Sequence, residues 1–326
     1  MPAVYAAALI STLVSTLSKS IFLCMEVFMS KKTIFTGSAI AIITPMNEDG
    51  SVNFKEFDRL IDYQIENGTD AIVVCGTTGE ASTLSHEEHV ECIRYVTKYV
   101  NKRVPVIAGT GSNCTETAIW LSQQAEAAGV DAVLLVTPYY NKATQKGLIK
   151  HFGDTAAAIN VPVILYNIPG RTGVNMLPET VEYLVDHYDN IVAIKDATGN
   201  IGQTAQLAYL CGDKIDIYSG DDNMICPILS LGGKGVISVL SHVAPMDTHL
   251  IVSKFLEGDT KGSLELQLKY LPLISDLFCE VNPIPVKTAC KLMGFNAGPL
   301  RSPLTEMEPE HVEKLKAEMV KLGILK

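Results

Sequence analysis

Lys195 ends a short apolar run, Ile191-Val-Ala-Ile-Lys195. Most lysines at strand ends are solvated or lay an apolar stem along the surface. A buried ammonium is different, because it is costly unless it is paired or loses its proton. A lysine that has lost its proton attacks carbonyl carbon. In a strand, Ala193, Lys195 and Ala197 share one face, while Val192, Ile194 and Asp196 share the other. The small neighbours leave room for a ligand beside Lys195, and Asp196 points away from it. The reference pKa leaves on the order of one lysine in a thousand as free amine at neutral pH, and an apolar surrounding raises that fraction. Making and breaking an imine shuttles protons, which threonine and tyrosine hydroxyls can relay. Tyr166 is the nearest such donor in the pattern, and Arg171 suits bidentate capture of a carboxylate.

These side chains need a scaffold that brings distant segments to one rim. From residue 37, eight short runs rich in Val, Ile, Ala and Leu alternate with segments of helical spacing: 38–44, 71–75, 104–108, 132–137, 161–167, 191–195, 215–219 and 235–239. Continuous apolar runs suit strands covered on both faces, and their alternation with helices predicts parallel βα units. Eight units predict an α/β fold, a (β/α)8 TIM barrel over 34–258, with its chemistry at the C-terminal strand ends. Asn53 and the Ser85-His-Glu-Glu capping box mark helix starts, and Gly68 and Gly129 mark stops. Residues 259–326 lack strand patterning and predict a C-terminal helical region, clearest at 264–278, 284–293 and 309–322. A doubly wound open sheet lacks its Gly-x-Gly-x-x-Gly turn after the first strand.

The 326 residues are 47% hydrophobic and 19% charged, the composition of a globular core. A formal net charge of −10 without a basic stripe argues against nucleic acid. Eight cysteines without a Cys-x-x-Cys pair predict neither a zinc site nor a disulfide framework, and fit a reducing cytoplasm. Asp221-Asp222 reads as a helix-capping pair, since no histidine or third carboxylate accompanies it at ligand spacing; no metal is expected. Residues 1–30 read as an N-terminal extension, poorly ordered or loosely helical, with Met29 near its end looking like a natural start. The uncharged stretch Pro2–Ser18 has no preceding basic region and is short for a membrane span, so no membrane association is expected.

Gly76-Thr-Thr-Gly-Glu80, Thr137-Pro-Tyr-Tyr-Asn141, Tyr166-Asn-Ile-Pro-Gly-Arg-Thr-Gly173, Ile194-Lys-Asp196 and Ser219-Gly-Asp-Asp222 follow one another from about Ile34 onward. In this order and spacing they closely resemble the dihydrodipicolinate synthase family. The resemblance implies condensation of pyruvate with L-aspartate 4-semialdehyde without a cofactor, on the route to diaminopimelate and lysine. It implies Lys195 as the Schiff-base lysine, and Thr77, Tyr140 and Tyr166 as a proton relay. It places Thr78 and Ile237 on the pyruvate moiety, Arg171 on the semialdehyde carboxylate and Gly220 in the pocket wall. The residue matching Tyr140 reaches in from a neighbouring subunit in that family, which implies a homodimer or homotetramer. Ser82, His86, His89, Asn113 and Tyr139 match an allosteric lysine site. A carboxylate often found there is Thr117 in this chain, which predicts weak or absent inhibition by lysine. His86 and His89 otherwise read as two exposed positions on one helix turn. The related N-acetylneuraminate lyases typically carry Ser-Thr where this chain has Thr77-Thr78, and lack an arginine at position 171.

Overall fold

The computed structural model describes residues 33–326. The expected extension over 1–30 lies outside the described residues. Eight parallel strands, β1 (Gly37–Ala41), β2 (Ala71–Val74), β3 (Val106–Gly109), β4 (Ala132–Val136), β5 (Val163–Asn167), β6 (Ile191–Asp196), β7 (Asp216–Ser219) and β8 (Gly235–Ser238), close into a barrel in sequence order. Each lies within or one residue from the run predicted for it.

The strands are buried on both faces, which explains their lack of polar alternation. Ala39, Val73, Ile107, Leu134, Ile164, Tyr166, Ala193 and Ile237 pack inside the barrel. Their strand neighbours Ile40, Ile72, Ala108, Val133, Leu165 and Ile194 pack outward beneath the helices. Toward the N-terminal end, Phe35 stacks on Tyr218 at 4.3 Å between ring centroids, and the Tyr218 hydroxyl donates to the Phe35 carbonyl. The open volume is left at the opposite end.

Helices α1 (Phe54–Glu66), α2 (His86–Val100), α3 (Thr115–Ala128), α4 (Gln145–Ala157), α5 (Pro178–His187), α6 (Ile201–Cys211), α7 (Ile225–Ser230) and α8 (Pro245–Leu256) surround the strands. Asn53 caps α1 by accepting from the Glu56 amide, and Ser85 and Glu88 form the reciprocal box at the start of α2. Three more helices follow: α9 (Thr260–Leu277), α10 (Ile284–Leu292) and α11 (Pro309–Lys321). Helix α9 starts four residues before the predicted 264, capped by Asp259 on the Gly262 amide. Its polar first turn, Thr260-Lys-Gly-Ser, hides the start from a hydrophobic pattern. No helix among the described residues is long and apolar enough to cross a membrane.

Candidate active site

The loop after β2 is built from backbone that only tight local constraints sustain. Cys75 and Glu80 both have φ of 55°, the left-handed region. Three distant elements hold the turn between them. Thr44 donates to the Gly79 carbonyl at 2.6 Å. The Glu80 carboxylate takes Lys287 Nζ at 2.7 Å and the Arg301 amide at 3.0 Å. Asn282 Nδ2 donates to Thr78 Oγ1 at 2.9 Å. Both partners of the Glu80–Lys287 pair are 1% exposed. The result is a fixed presentation of Thr77 and Thr78 at the barrel rim.

The β5 loop is held in a comparable way. Asn167 Nδ2 donates to the Met176 carbonyl, and its Oδ1 accepts from the Met176 amide. A short helical turn, Pro169–Thr172, lies between these anchors and carries Arg171. Arg171 Nη2 donates to the Asn282 carbonyl at 3.2 Å. On β6, Asp196 turns outward and accepts from the Thr198 and Thr204 hydroxyls, as its strand face requires. Directly after β7, the Gly220 amide donates to the Asp196 carbonyl, and a Cβ at Gly220 would stand 2.6 Å from that of Ala197. Glycine is required where β6 and β7 approach this closely.

These loops enclose a cavity of ≈ 370 Å³ at the C-terminal end of the barrel. Lys195, 6% exposed, projects into it, with Nζ 4.4 Å from the centre of the Tyr166 ring. Tyr166 and Lys195 are paired in register on adjacent strands. Burial pushes the Lys195 ammonium down to about 8; Asp221 and Asp222 act in the opposite direction, and Arg171 adds to the fall. Burial likewise holds the Tyr166 hydroxyl well above its ordinary value, while a hydrogen bond from Thr77 counters this. The site therefore combines an amine poised to lose its proton with a phenol that keeps its own.

Thr77, Thr78, Tyr166, Arg171, Lys195 and Gly220 all line the cavity. Ser82, His86, His89, Tyr139 and Thr117 line the same space farther out, beside α2 and α3. Asn113 is exposed and Ile237 packs within the barrel core; neither borders the cavity. Tyr140, 86% exposed with φ of 77°, stands outside the cavity wall of its own chain.

Two further readings change at the site. His89 is buried, not exposed: its Nε2 lies 2.7 Å from the Gly109 carbonyl, and burial lowers its pKa. Asp221 stands at the N-cap of the short turn Asp222–Met224, but its side chain makes no capping hydrogen bond there. Asp222 Oδ2 instead accepts from the Val239 and Leu240 amides beyond β8, and Asp221 lines the cavity. Asn282 and Phe278, also in the wall, come from the C-terminal region and were not singled out in the sequence. The run Asn282-Pro-Ile-Pro-Val-Lys287 was the available signal: it breaks the helical pattern and places a lysine among apolar residues.

The chain is 65% identical over 292 residues to the 4-hydroxy-tetrahydrodipicolinate synthase of Lachnoclostridium phytofermentans, covering 90% of this chain and 99% of that one. A chloride-inhibited dihydrodipicolinate synthase from Acinetobacter baumannii, solved in complex with pyruvate, superposes with a TM-score of 0.87 at 44% identity; 90% of this chain and 100% of that one are covered. A dihydrodipicolinate synthase from Cyanidioschyzon merolae, solved with lysine bound, gives a TM-score of 0.87 at 40% identity, with the same coverage of 90% and 100%. The profile of the dihydrodipicolinate synthetase family matches residues 34–322, and the chain belongs to that family.

Proposed function

We propose that this protein condenses pyruvate with L-aspartate 4-semialdehyde through an imine on Lys195, in the biosynthesis of diaminopimelate and lysine. The observation that carries this reading is the buried Lys195 amine, lowered to about 8, in a cavity shared with Tyr166, Thr78 and Arg171.

The neutral amine adds to C2 of pyruvate, and the carbinolamine loses water to give the iminium. Thr78 holds the keto-acid carboxylate during this step. Tyr166 donates and recovers the protons, with Thr77 as the next hydroxyl in the chain. Loss of a C3 proton gives an enamine. Its carbon forms the new bond to the aldehyde carbon of the second substrate, whose carboxylate Arg171 binds. The second substrate's own amine then attacks the iminium carbon, closes a ring and releases Lys195. One water leaves overall. The enamine supplies the electron pair, so the scheme uses neither metal nor organic cofactor.

Tyr140 completes the relay from a second copy of the chain, in a homodimer or homotetramer. Its exposure and strained backbone within one chain support this. The part of the cavity lined by Ser82, His86, His89 and Tyr139 is proposed to admit lysine, without a contact from Asn113. Free thiols at Cys75, Cys92, Cys114 and the other described cysteines support a cytoplasmic setting. The test is a coupled assay of the purified chain with pyruvate and either L-aspartate 4-semialdehyde or N-acetylmannosamine. Turnover with the semialdehyde is expected; turnover only with the sugar would transfer the protein to the sialic-acid branch.

A further inference from the structure

Asn282 lies between α9 and α10, far in sequence from every strand, yet it is 6% exposed and borders the cavity. It touches two binding groups at once. Its Nδ2 donates to Thr78 Oγ1 at 2.9 Å, and its carbonyl accepts from Arg171 Nη2 at 3.2 Å. Its Oδ1 is buried without a hydrogen-bond partner among the described residues. We propose that Asn282 is a positioning residue that fixes which way the Thr78 hydroxyl points.

The argument is one of hydrogen-bond polarity. A hydroxyl has one proton and two lone pairs. With one lone pair taken by the Asn282 amide, the Thr78 proton has no acceptor on that side and is directed to the ligand. A carboxylate in the cavity then meets a donor. The reverse arrangement, Thr78 donating to Asn282 Oδ1, would orphan an amide NH2 in the interior instead of a carbonyl. Buried orphan N–H groups are the rarer case, which favours the orientation with Nδ2 on Thr78. The same residue holds Arg171 through its main chain, so the groups assigned to the two substrates share one anchor.

This inference rests on the reading of Thr78 as the keto-acid contact. The test uses the full chain and measures the pyruvate concentration giving half-maximal borohydride trapping on Lys195, by intact mass. Asn282→Ala removes the donor, and Asn282→Asp keeps the shape but replaces the donor with an acceptor. Each is expected to raise half-saturation about ten- to hundredfold, the loss of one hydrogen bond to a charged group. In the Thr78→Val background, Asn282→Ala should add less than about twofold, because its effect passes through that hydroxyl. Asn282→Ser, too short to reach Thr78, takes its place if the alanine variant does not fold. Full multiplication of the two single effects, or an Asp variant that saturates like the parent, overturns the proposal. A parent chain that forms no adduct overturns the imine reading and this inference with it.

Discussion

The lowered pKa of Lys195 makes its pH dependence the sharpest expectation. An amine at the ordinary value of 10.5 would be about 0.03% unprotonated at pH 7. At about 8 the unprotonated fraction is about 9%, an enrichment of about three-hundredfold. The rate of reductive trapping by cyanoborohydride at sub-saturating pyruvate should therefore rise with pH and level off above about 8. Asp221 supplies a perturbation of known sign. Its carboxylate favours the ammonium, so Asp221→Asn should move the inflection to lower pH. Burial raises the pKa of Asp221 itself and Lys195 counters this, so the two groups bias each other. A parent profile that climbs to pH 10 without an inflection would refute the desolvation argument. An Asp221→Asn profile shifted upward would refute the assignment of that carboxylate.

The same burial has a cost in stability. The folded value lies below the unfolded 10.5, so the cost is full at pH below about 8 and vanishes as pH rises through 10.5. Lys195→Met should stabilise the inactive protein by about 3 kcal/mol at pH 7, and by little at pH 10.5, in denaturant titrations. Lys287→Met should destabilise by about 3–5 kcal/mol, because it strands the Glu80 carboxylate in the interior, with partial recovery on adding Glu80→Gln; a loss below about 1 kcal/mol would show the pair to be dispensable. Lysine should inhibit weakly, since Thr117 offers its chamber no anion for the ammonium; half-inhibition at micromolar lysine in the coupled assay would contradict this.

Much of the scaffold was legible because each local signal agreed with the global fold. Parallel barrel strands are apolar on both faces, so runs such as Ala71–Val74 carry their burial in their composition. The strand period likewise put Lys195 inward and Asp196 outward, where the structure has them. At Val192 the period failed: it packs inside with Ala193, next to a register shift between β5 and β6 at Val163/Ile164. No residue type announces that irregularity. The supports of the site were hidden for another reason. Asn282 meets Thr78 across 204 residues, and Lys287 meets Glu80 across 207. Neither position has a periodicity that points to its partner. His89 reads as exposed from the sequence because its carbonyl acceptor, Gly109, comes from another βα unit.

Peptide mapping of the protein after incubation with pyruvate and borohydride bears on every step proposed for the site. The adduct should fall on the peptide containing Lys195 alone, and Lys195→Ala should abolish both the adduct and condensation. An adduct on another lysine, or condensation at full rate in Lys195→Ala, would contradict the mechanism.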